Sequence, residues 1–280
     1  MKKIFKIIAI ILFSWQITAQ EQKPKNRFYF SIHSGYNLSS GNTENINTGF
    51  LRLGWPGFNV EQNGTTTTSS NSKFNMGSGI SYGGSFGYNF NKYLGSEVAV
   101  SYLKSESDIN YRLSNSRTIN NFNSKMLQIK PCLIVSAGFE KIDPFIKFGL
   151  VLGKISINNN VELGNAVLSR QYTFLYDGGL AVGYTGAFGI NYNLGNNLLI
   201  SLDTNFINLS YSPKKQTFTQ FSENGVDKTS LIVNPVREEY FDELEEDPSF
   251  VPDPNAPQKR TSESISFGSF GFNLGVKYGF

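Results

Sequence analysis

The 280-residue chain is rich in aromatic residues (14%) and poor in charged ones (17%), whereas an average globular protein has about 25% charged residues. Its net charge of +3 comes from scattered basic residues, which leave no electrostatic footprint for nucleic acid, so we expect no nucleic-acid partner. The single cysteine, Cys132, excludes an intramolecular disulfide and any paired-cysteine metal or redox motif.

The amino end predicts a signal peptide. Lysines surround an apolar run over residues 4–13, and the stretch SWQITAQ that follows offers Ala19 as a small residue for cleavage. The run is shorter than the ~20 residues that a helix needs to cross a bilayer. We therefore expect residues 1–19 to be removed after export by the Sec route, which leaves residues 20–280 as the mature domain. No later apolar run reaches spanning length, so any membrane span has to be a β-strand.

Apolar and polar residues alternate in eight later segments, each bounded by Gly, Asn, Ser or Pro. A period of two is typical of strands that have one apolar face. The segments are 27–38, 78–90, 94–105, 123–138, 145–156, 172–192, 198–211 and 264–280.

The connections between these segments alternate in length. NKY, FEKIDP and NLGNN join the second segment to the third, the fourth to the fifth and the sixth to the seventh, and the other connections are much longer. Short periplasmic turns and long extracellular loops are the pattern of outer-membrane barrels. The sequence therefore predicts an all-β fold, an eight-stranded antiparallel up-and-down transmembrane β-barrel with long extracellular loops and both ends at the periplasmic side.

One face of each segment carries bulky apolar side chains and the other carries small ones. In the second segment Ile80, Tyr82 and Phe86 alternate with glycine and serine. A face in bulk water would carry Lys and Glu, whereas small side chains suit the crowded lumen of a narrow barrel. We therefore expect the bulky face to contact lipid, with an aromatic girdle at each interface. The outer girdle is expected to include Tyr36, Tyr102, Tyr172, Tyr176 and Tyr211.

The chain resembles small outer-membrane β-barrel proteins of Gram-negative bacteria. The resemblance lies in the signal peptide, the eight alternating strands, the alternation of short and long loops, and the closing stretch LGVKYGF. The resemblance is to the porin-like or PorT-like outer membrane protein β-barrel domain group, and it covers essentially the whole mature chain. It implies an outer-membrane location, with outer-membrane lipid, lipopolysaccharide and the barrel assembly machinery as partners. In such proteins an alternating last strand that ends on an aromatic residue resembles the signal read by that machinery. The matching positions are Phe272, Leu274, Val276, Tyr278 and Phe280.

Five charged residues lie at alternating strand positions whose side chains are expected to face the barrel interior. They are Glu97, Lys130, Lys147, Asp203 and Lys277. Neighbouring strands would bring Glu97 to Lys130 and Asp203 to Lys277, and a charge left unpaired inside the barrel is costly. We expect a structural salt-bridge network that fills the lumen, and the alternative is a proton or ion path.

The only histidine, His33, also has inward parity. Some outer-membrane lipid hydrolases use a serine with a histidine as its base. No serine motif of those families accompanies His33, so we expect it to pack in the interior. We predict no catalytic residue, no cofactor and no metal site.

Two of the long loops have unusual composition. The last contains an acidic stretch over residues 237–247, where a short helix would place several carboxylates on one face for a divalent cation or a basic partner; a mobile, solvated loop is the alternative. The first contains apolar residues in a polar surrounding, which we expect to extend the sheet, to cover the barrel mouth or to meet a ligand. These residues are Leu51, Leu53, Trp55 and Phe58.

Fold alone does not determine function. We expect a non-enzymatic integral outer-membrane protein with a structural or surface-binding role through its extracellular loops, and an extracellular or envelope protein as a further partner. The alternatives are an accessory component of envelope secretion or assembly, a lipid-modifying outer-membrane enzyme, and a soluble ligand-binding barrel. A general pore is not expected, because water-filled channels need about 16 strands.

Overall fold

The computed structural model describes residues 26–41, 58–63, 65–71, 74–113, 116–165, 167–232, 234–244, 256–262 and 264–280. The expected signal peptide over residues 1–19 lies outside this range, and so do Leu51, Leu53 and Trp55. Within the range, no helix combines the length and the hydropathy needed to cross a bilayer.

Eight antiparallel strands form a closed barrel, which confirms the predicted fold. Each pairs with the next around the ring, and the first and last strands in the chain pair with each other and close it. The barrel strands are β1 (Phe28–Ser39), β4 (Gly79–Asn89), β5 (Leu94–Leu113), β6 (Ser116–Ser136), β7 (Ile142–Gly164), β9 (Ala181–Gly195), β10 (Leu198–Tyr211) and β16 (Ser269–Gly279).

The chain ends meet at the end of the barrel that carries the short connections. The backbone N–H of Phe280 donates to the carbonyl of Phe28 at 2.8 Å, and the Phe28 N–H donates back to Phe280. The tight turn between β9 and β10 has Asn196 and Asn197 at φ of 50° and 68°, a left-handed conformation that asparagine tolerates better than most residues. By the rule that short turns are periplasmic, this is the periplasmic end.

At the other end several strands are longer than the sequence indicated. Strands β5 and β6 pair without interruption from Leu94 to Leu113, although the segment after residue 105 was expected to be a loop. Residues 104–108 are all polar, so the period of two is interrupted there while the strand pairing continues. The predicted strand over 172–192 is broken at Gly178 and Gly179, whose φ angles are 86° and 77°.

The remaining strands form an extracellular sheet that extends from the barrel wall. The upper half of β7 pairs with β8 instead of β9. Strand β8 pairs in turn with β11, β11 with β13, and β13 with β14. The β2–β3 hairpin pairs with the edge of β5 through β2. The bounds are β2 (Phe58–Asn63), β3 (Thr66–Asn71), β8 (Ser169–Asp177), β11 (Lys215–Glu223), β12 (Val226–Asp227), β13 (Val236–Phe241), β14 (Gln258–Thr261) and β15 (Ile265–Ser266), with a 3-10 turn at Thr229–Leu231.

The helix considered for the acidic stretch is wrong in its first part, because β13 occupies Val236–Phe241. Pairing with β11 on one side and β14 on the other overrides the local helical preference of the glutamates. Residues 245–247 of that stretch lie outside the described part of the chain.

The bulky residues of the barrel strands face outward, as predicted. Phe30, Ile32, Phe148 and Leu274 are each half or more exposed on the outer wall, which is where lipid would contact them. Three members of the expected outer girdle are wrong. Tyr172 lies on β8 in the extracellular sheet and packs against the apolar core. Tyr176 and Tyr211 are each only 1% exposed and point into the interior, because their strands turn this face toward an apolar core.

Candidate functional site: the barrel lumen and the extracellular sheet

The barrel interior has three layers along its axis. The extracellular end is apolar, the middle contains charged side chains around a small cavity of about 50 Å³, and the periplasmic end is a wider cavity of about 700 Å³. All five inward charges of the sequence prediction line the middle layer. They are Glu97, Lys130, Lys147, Asp203 and Lys277.

Glu97 is the centre of the charged layer. Its two carboxylate oxygens accept hydrogen bonds from different donors, the Lys147 ammonium at 2.7 Å and the Tyr29 hydroxyl at 2.7 Å. The side chain of Glu97 is 4% exposed and that of Lys147 is 13% exposed, so the pair is nearly dry. The predicted Glu97–Lys130 pair is wrong: the strand register places Cys132 opposite Glu97 and Lys130 opposite Ala99, and among the described residues the ion pair of Glu97 is with Lys147 on β7.

The second predicted pair, Asp203 with Lys277, is also wrong. Asp203 accepts a hydrogen bond of 2.8 Å from the side-chain amide of Asn273. The Lys277 ammonium instead lies over two rings, 4.7 Å from the centroid of Phe145 and 5.3 Å from that of Tyr29. A cation over an aromatic face is attracted by the ring quadrupole, which partly replaces a counterion. Within the described residues neither Lys130 nor Lys277 forms an ion pair.

His33 and Cys132 line the same small cavity. In the described part of the chain, no hydrogen bond joins the His33 ring to a serine hydroxyl, and the ring faces the lumen. No group of three or more possible metal ligands is found among the described residues.

An apolar core fills the extracellular part of the lumen, and the sequence analysis did not anticipate it. Phe74, Met76 and Phe267 come from the segments that precede β4 and β16, and each is at most 1% exposed. The ring of Phe74 packs edge-on against Phe122 at 4.8 Å. The parity of Leu103, which is buried on the inward face of β5 among serines and Glu97, is the signal that could have revealed this core.

Backbone hydrogen bonds fix these segments across the barrel mouth. The Met76 N–H donates to the Ser266 carbonyl at 2.9 Å, and the Asn75 side-chain amide donates to the carbonyls of Ser40 and Gly41. Gly77 lies so close to Gly268 that a Cβ would come within 2.3 Å of the Gly268 carbonyl oxygen. The segments 74–77 and 265–268, which we call the plug, are therefore bonded to each other and to the residues that follow β1, and they belong to the folded core.

The same core continues into the extracellular sheet. Tyr172, Phe174, Phe218 and Phe221 form a stack across β8 and β11 with ring centroids 5.1 to 6.3 Å apart. Offset aromatic pairs each add about 0.5–1.5 kcal/mol beyond their burial, so the stack holds the two strands together. The plug and the sheet thus share one apolar interior.

Ion pairs tie the outer edges of this sheet. Glu223 accepts hydrogen bonds from Lys228 at 2.8 Å and from Arg170 at 2.9 Å, and these two contacts lower the pKa of its carboxyl group, with Lys228 making the larger contribution. Hydrogen bonds from Lys214 and then Ser262 likewise lower the pKa of Asp242. Both groups are solvent-exposed, so these pairs order the loops more than they stabilise the fold.

The expected assembly signal lies along β16. Phe272, Leu274, Val276 and Tyr278 all point outward, and Phe280 packs against the rings of Phe28 at 6.2 Å and Phe86 at 6.4 Å. These residues form the outer wall at the seam where the barrel closes. Their reading by the assembly machinery stays a prediction.

The chain was compared with known families and structures. A family model described as outer membrane protein beta-barrel domain matches residues 7–234. Among solved structures, Neisserial surface protein A is similar at 13% identity, with 90% of this chain and 97% of that chain covered and a TM-score of 0.36. OprG from Pseudomonas aeruginosa is similar at 11% identity, with 93% and 99% covered and a TM-score of 0.46. Ail of Yersinia pestis is similar at 10% identity, with 92% and 100% covered and a TM-score of 0.34.

No curated protein sequence matches the chain. The family model spans well over half of it, and the closed antiparallel barrel of the structure agrees with the beta-barrel that the family's description names. The chain therefore belongs to the outer membrane protein beta-barrel domain family.

Proposed function

We propose that this outer-membrane barrel is a non-enzymatic surface-binding protein, whose extracellular sheet binds an extracellular or envelope protein partner. The observation that supports this most is the apolar core shared by the lumen and the extracellular sheet. A barrel that acts as a water-filled channel would keep the extracellular half of its lumen polar and open. Here that half is packed, and the packing holds a sheet above the membrane.

The far tips of the sheet carry exposed apolar side chains, which suit a protein contact better than a solvated loop. Val167 is 88% exposed in the β7–β8 turn and Leu231 is 66% exposed in the turn after β12. The β7–β8 turn is adjacent to the β11–β12 turn, because the Ser169 N–H donates to the Asn224 side chain at 2.8 Å and Asn224 donates back through its own N–H. Leu231 lies in the 3-10 turn that follows β12.

A photo-crosslinking amino acid placed at Val167 or Leu231 in intact cells tests this proposal. We expect one defined adduct from each position and none from Phe139, a matched control that is 65% exposed in a periplasmic turn. The absence of an adduct from both tips, or the same adduct from Phe139, would count against a surface-binding role. An adduct with a secretion or assembly component would favour the accessory role instead.

The packed lumen is tested separately. A planar-bilayer recording of the purified monomer is expected to show no steady, large conductance. Export is tested by the mass of the mature protein, which is expected to begin at residue 20 after removal of residues 1–19. A mature mass that includes residues 1–19 would contradict cleavage.

A further inference from the structure

A cluster of lysines lies on the outer wall at the extracellular limit of the apolar belt. On three adjacent barrel strands, the last apolar or aromatic residue of the outer face is followed, two residues further toward the extracellular end, by a lysine. The pairs are Tyr102 and Lys104 on β5, Leu127 and Lys125 on β6, and Leu152 and Lys154 on β7. The lysines thus stand where a lipid bilayer passes from acyl chains to head groups.

Two of these lysines oppose each other directly. Lys104 and Lys125 are cross-strand partners in the β5–β6 register, and both side chains are exposed on the outer face. Like charges in this position destabilise a strand pair unless an anion lies between them. Glu106 contacts Lys104 at 3.4 Å, but this carboxylate is 66% exposed. In the described part of the chain, Lys125 and Lys154 have no carboxylate partner.

Lys125 and Lys154 line a surface cleft together with Lys215, and we name it the basic cleft. Its volume is about 450 Å³, and Tyr102, Leu127 and Ile155 form its apolar part. Its extracellular rim runs along Gly178 and Gly179, where β8 ends and β9 begins. Lys215 is paired with Asp177 at 3.5 Å, which leaves the ammonium groups of Lys125 and Lys154 as the surplus positive charge. The cleft is therefore cationic above and apolar toward the membrane.

On β1, β16 and β4 the corresponding positions are apolar. Leu38 near the end of β1 and Phe270 at the start of β16 are outward and exposed, and Ile80 on β4 lies opposite Lys104. The positive charge is thus gathered on one side of the barrel, at β5 to β7. A general preference for interfacial lysine would distribute it around the rim.

We propose that the basic cleft binds the phosphorylated head group of an outer-leaflet lipid, with the phosphate between Lys125 and Lys154 and an acyl chain along Leu127 and Tyr102. Lysine binds phosphate as a compact point charge with three donors. A phosphate shared with Lys104 would also relieve the repulsion between the opposed ammonium groups. This proposal concerns the barrel wall and is independent of a protein partner at the sheet.

The test uses the full-length mature protein refolded in neutral detergent micelles, titrated with diphosphorylated lipid A and followed by native mass spectrometry. The double variant Lys125→Gln with Lys154→Gln is expected to bind on the order of tenfold more weakly. The matched control changes Lys92 and Lys141, two exposed lysines at the periplasmic rim, to Gln, and is expected to bind within about twofold of the wild type. Folding of each variant is checked by the shift of its band on a gel after heating.

Two further ligands identify the recognised group. Lipid A without phosphates, which keeps the acyl chains, is expected to bind weakly to all proteins. Inorganic phosphate that bound as tightly as lipid A would assign the cleft to a free anion and overturn the lipid assignment. Equal binding by the wild type and the double variant, or an equal loss in the control, would overturn the site itself. If the double variant does not fold, Lys154→Gln alone is expected to weaken binding about threefold, and an unchanged affinity would refute the proposal.

Discussion

The Glu97–Lys147 pair gives the sharpest test of the charged layer. Glu97→Gln keeps the side-chain volume and an oxygen that can accept from Tyr29, but it leaves the Lys147 ammonium without its counterion. The contact is 2.7 Å long and Lys147 is 13% exposed. Removing one partner of such a buried pair costs about 3–5 kcal/mol, because the desolvated charge that remains is uncompensated. We expect the free energy of unfolding to fall by an amount in this range.

Replacing both partners separates pairing from simple loss of packing. In the double variant Glu97→Gln with Lys147→Met neither charge remains, so the free energy of unfolding should recover to within about 1 kcal/mol of the wild type. The control is Lys130→Met, since Lys130 lines the same cavity without an ion pair, and it is expected to be neutral or stabilising. Lys277→Met is expected to behave like the control, because no carboxylate pairs with Lys277.

The assay is urea unfolding from lipid vesicles, followed by the band that shifts on a gel after heating. Two results would refute the reasoning. One is a change of less than about 0.5 kcal/mol in the Glu97→Gln variant, which would mean that water or another group neutralises Lys147. The other is a double variant whose loss equals the sum of the single losses, which would mean that the two charges do not interact.

Three further predictions concern other parts of the barrel. Gly87→Ala would place a Cβ 2.0 Å from Cζ of Tyr29, so the ring must leave its position and release Glu97; we expect a loss of about 1–3 kcal/mol in the same unfolding assay. The carboxyl pKa of Glu223 is lowered by its hydrogen bonds, so the ion pairs are complete above the ordinary value of 4.5 and are lost as pH falls through the lowered one. The protection factors of amides in the β11–β12 hairpin, which correct for the slower intrinsic exchange in acid, should therefore fall on acidification. Phe280→Ser removes the ring that packs on Phe28, and we expect less folded protein in the outer membrane of cells, measured by the heat-shifted band.

Each of these has its own control. Gly186→Ala should be neutral, because the nearest atom to its Cβ would be 3.7 Å away, and equal losses at both glycines would contradict the steric argument. Glu223→Gln should have low protection factors at every pH, so a variant that kept the acid-induced fall in protection would assign it to another group. Phe280→Tyr should assemble normally, and normal assembly of the serine variant as well would remove the terminal ring from the proposed signal.

The strands within the bilayer could be predicted from the sequence, whereas those above it could not. Within the bilayer, lipid on one side and a narrow lumen on the other impose an unbroken period of two, so the strands, their facing and the inward position of residues such as Lys147 could be predicted from parity alone. Above the bilayer that contrast is interrupted, for example by the five consecutive polar residues 104–108 of β5. The upper parts of β5 and β6 were therefore missed, and the acidic stretch that contains β13 was considered as a helix.

The position of a residue in the alternation along a strand predicts which face its side chain lies on, but not which partner the side chain contacts. Glu97 was expected to meet Lys130 on the neighbouring strand, yet its partners are Lys147 and Tyr29, because a narrow barrel brings side chains from non-adjacent strands together across its axis. The same convergence builds the apolar core around Phe74, whereas Lys125 and Lys154 of the basic cleft are brought together on the outer wall by the pairing of the adjacent strands β6 and β7. The sequence by itself determined that the strands span a membrane and which of their two faces is apolar, since these properties depend on each residue's own environment. Only the tertiary structure decided which side chains pair and where the sites lie, since these depend on distances between side chains in the closed barrel.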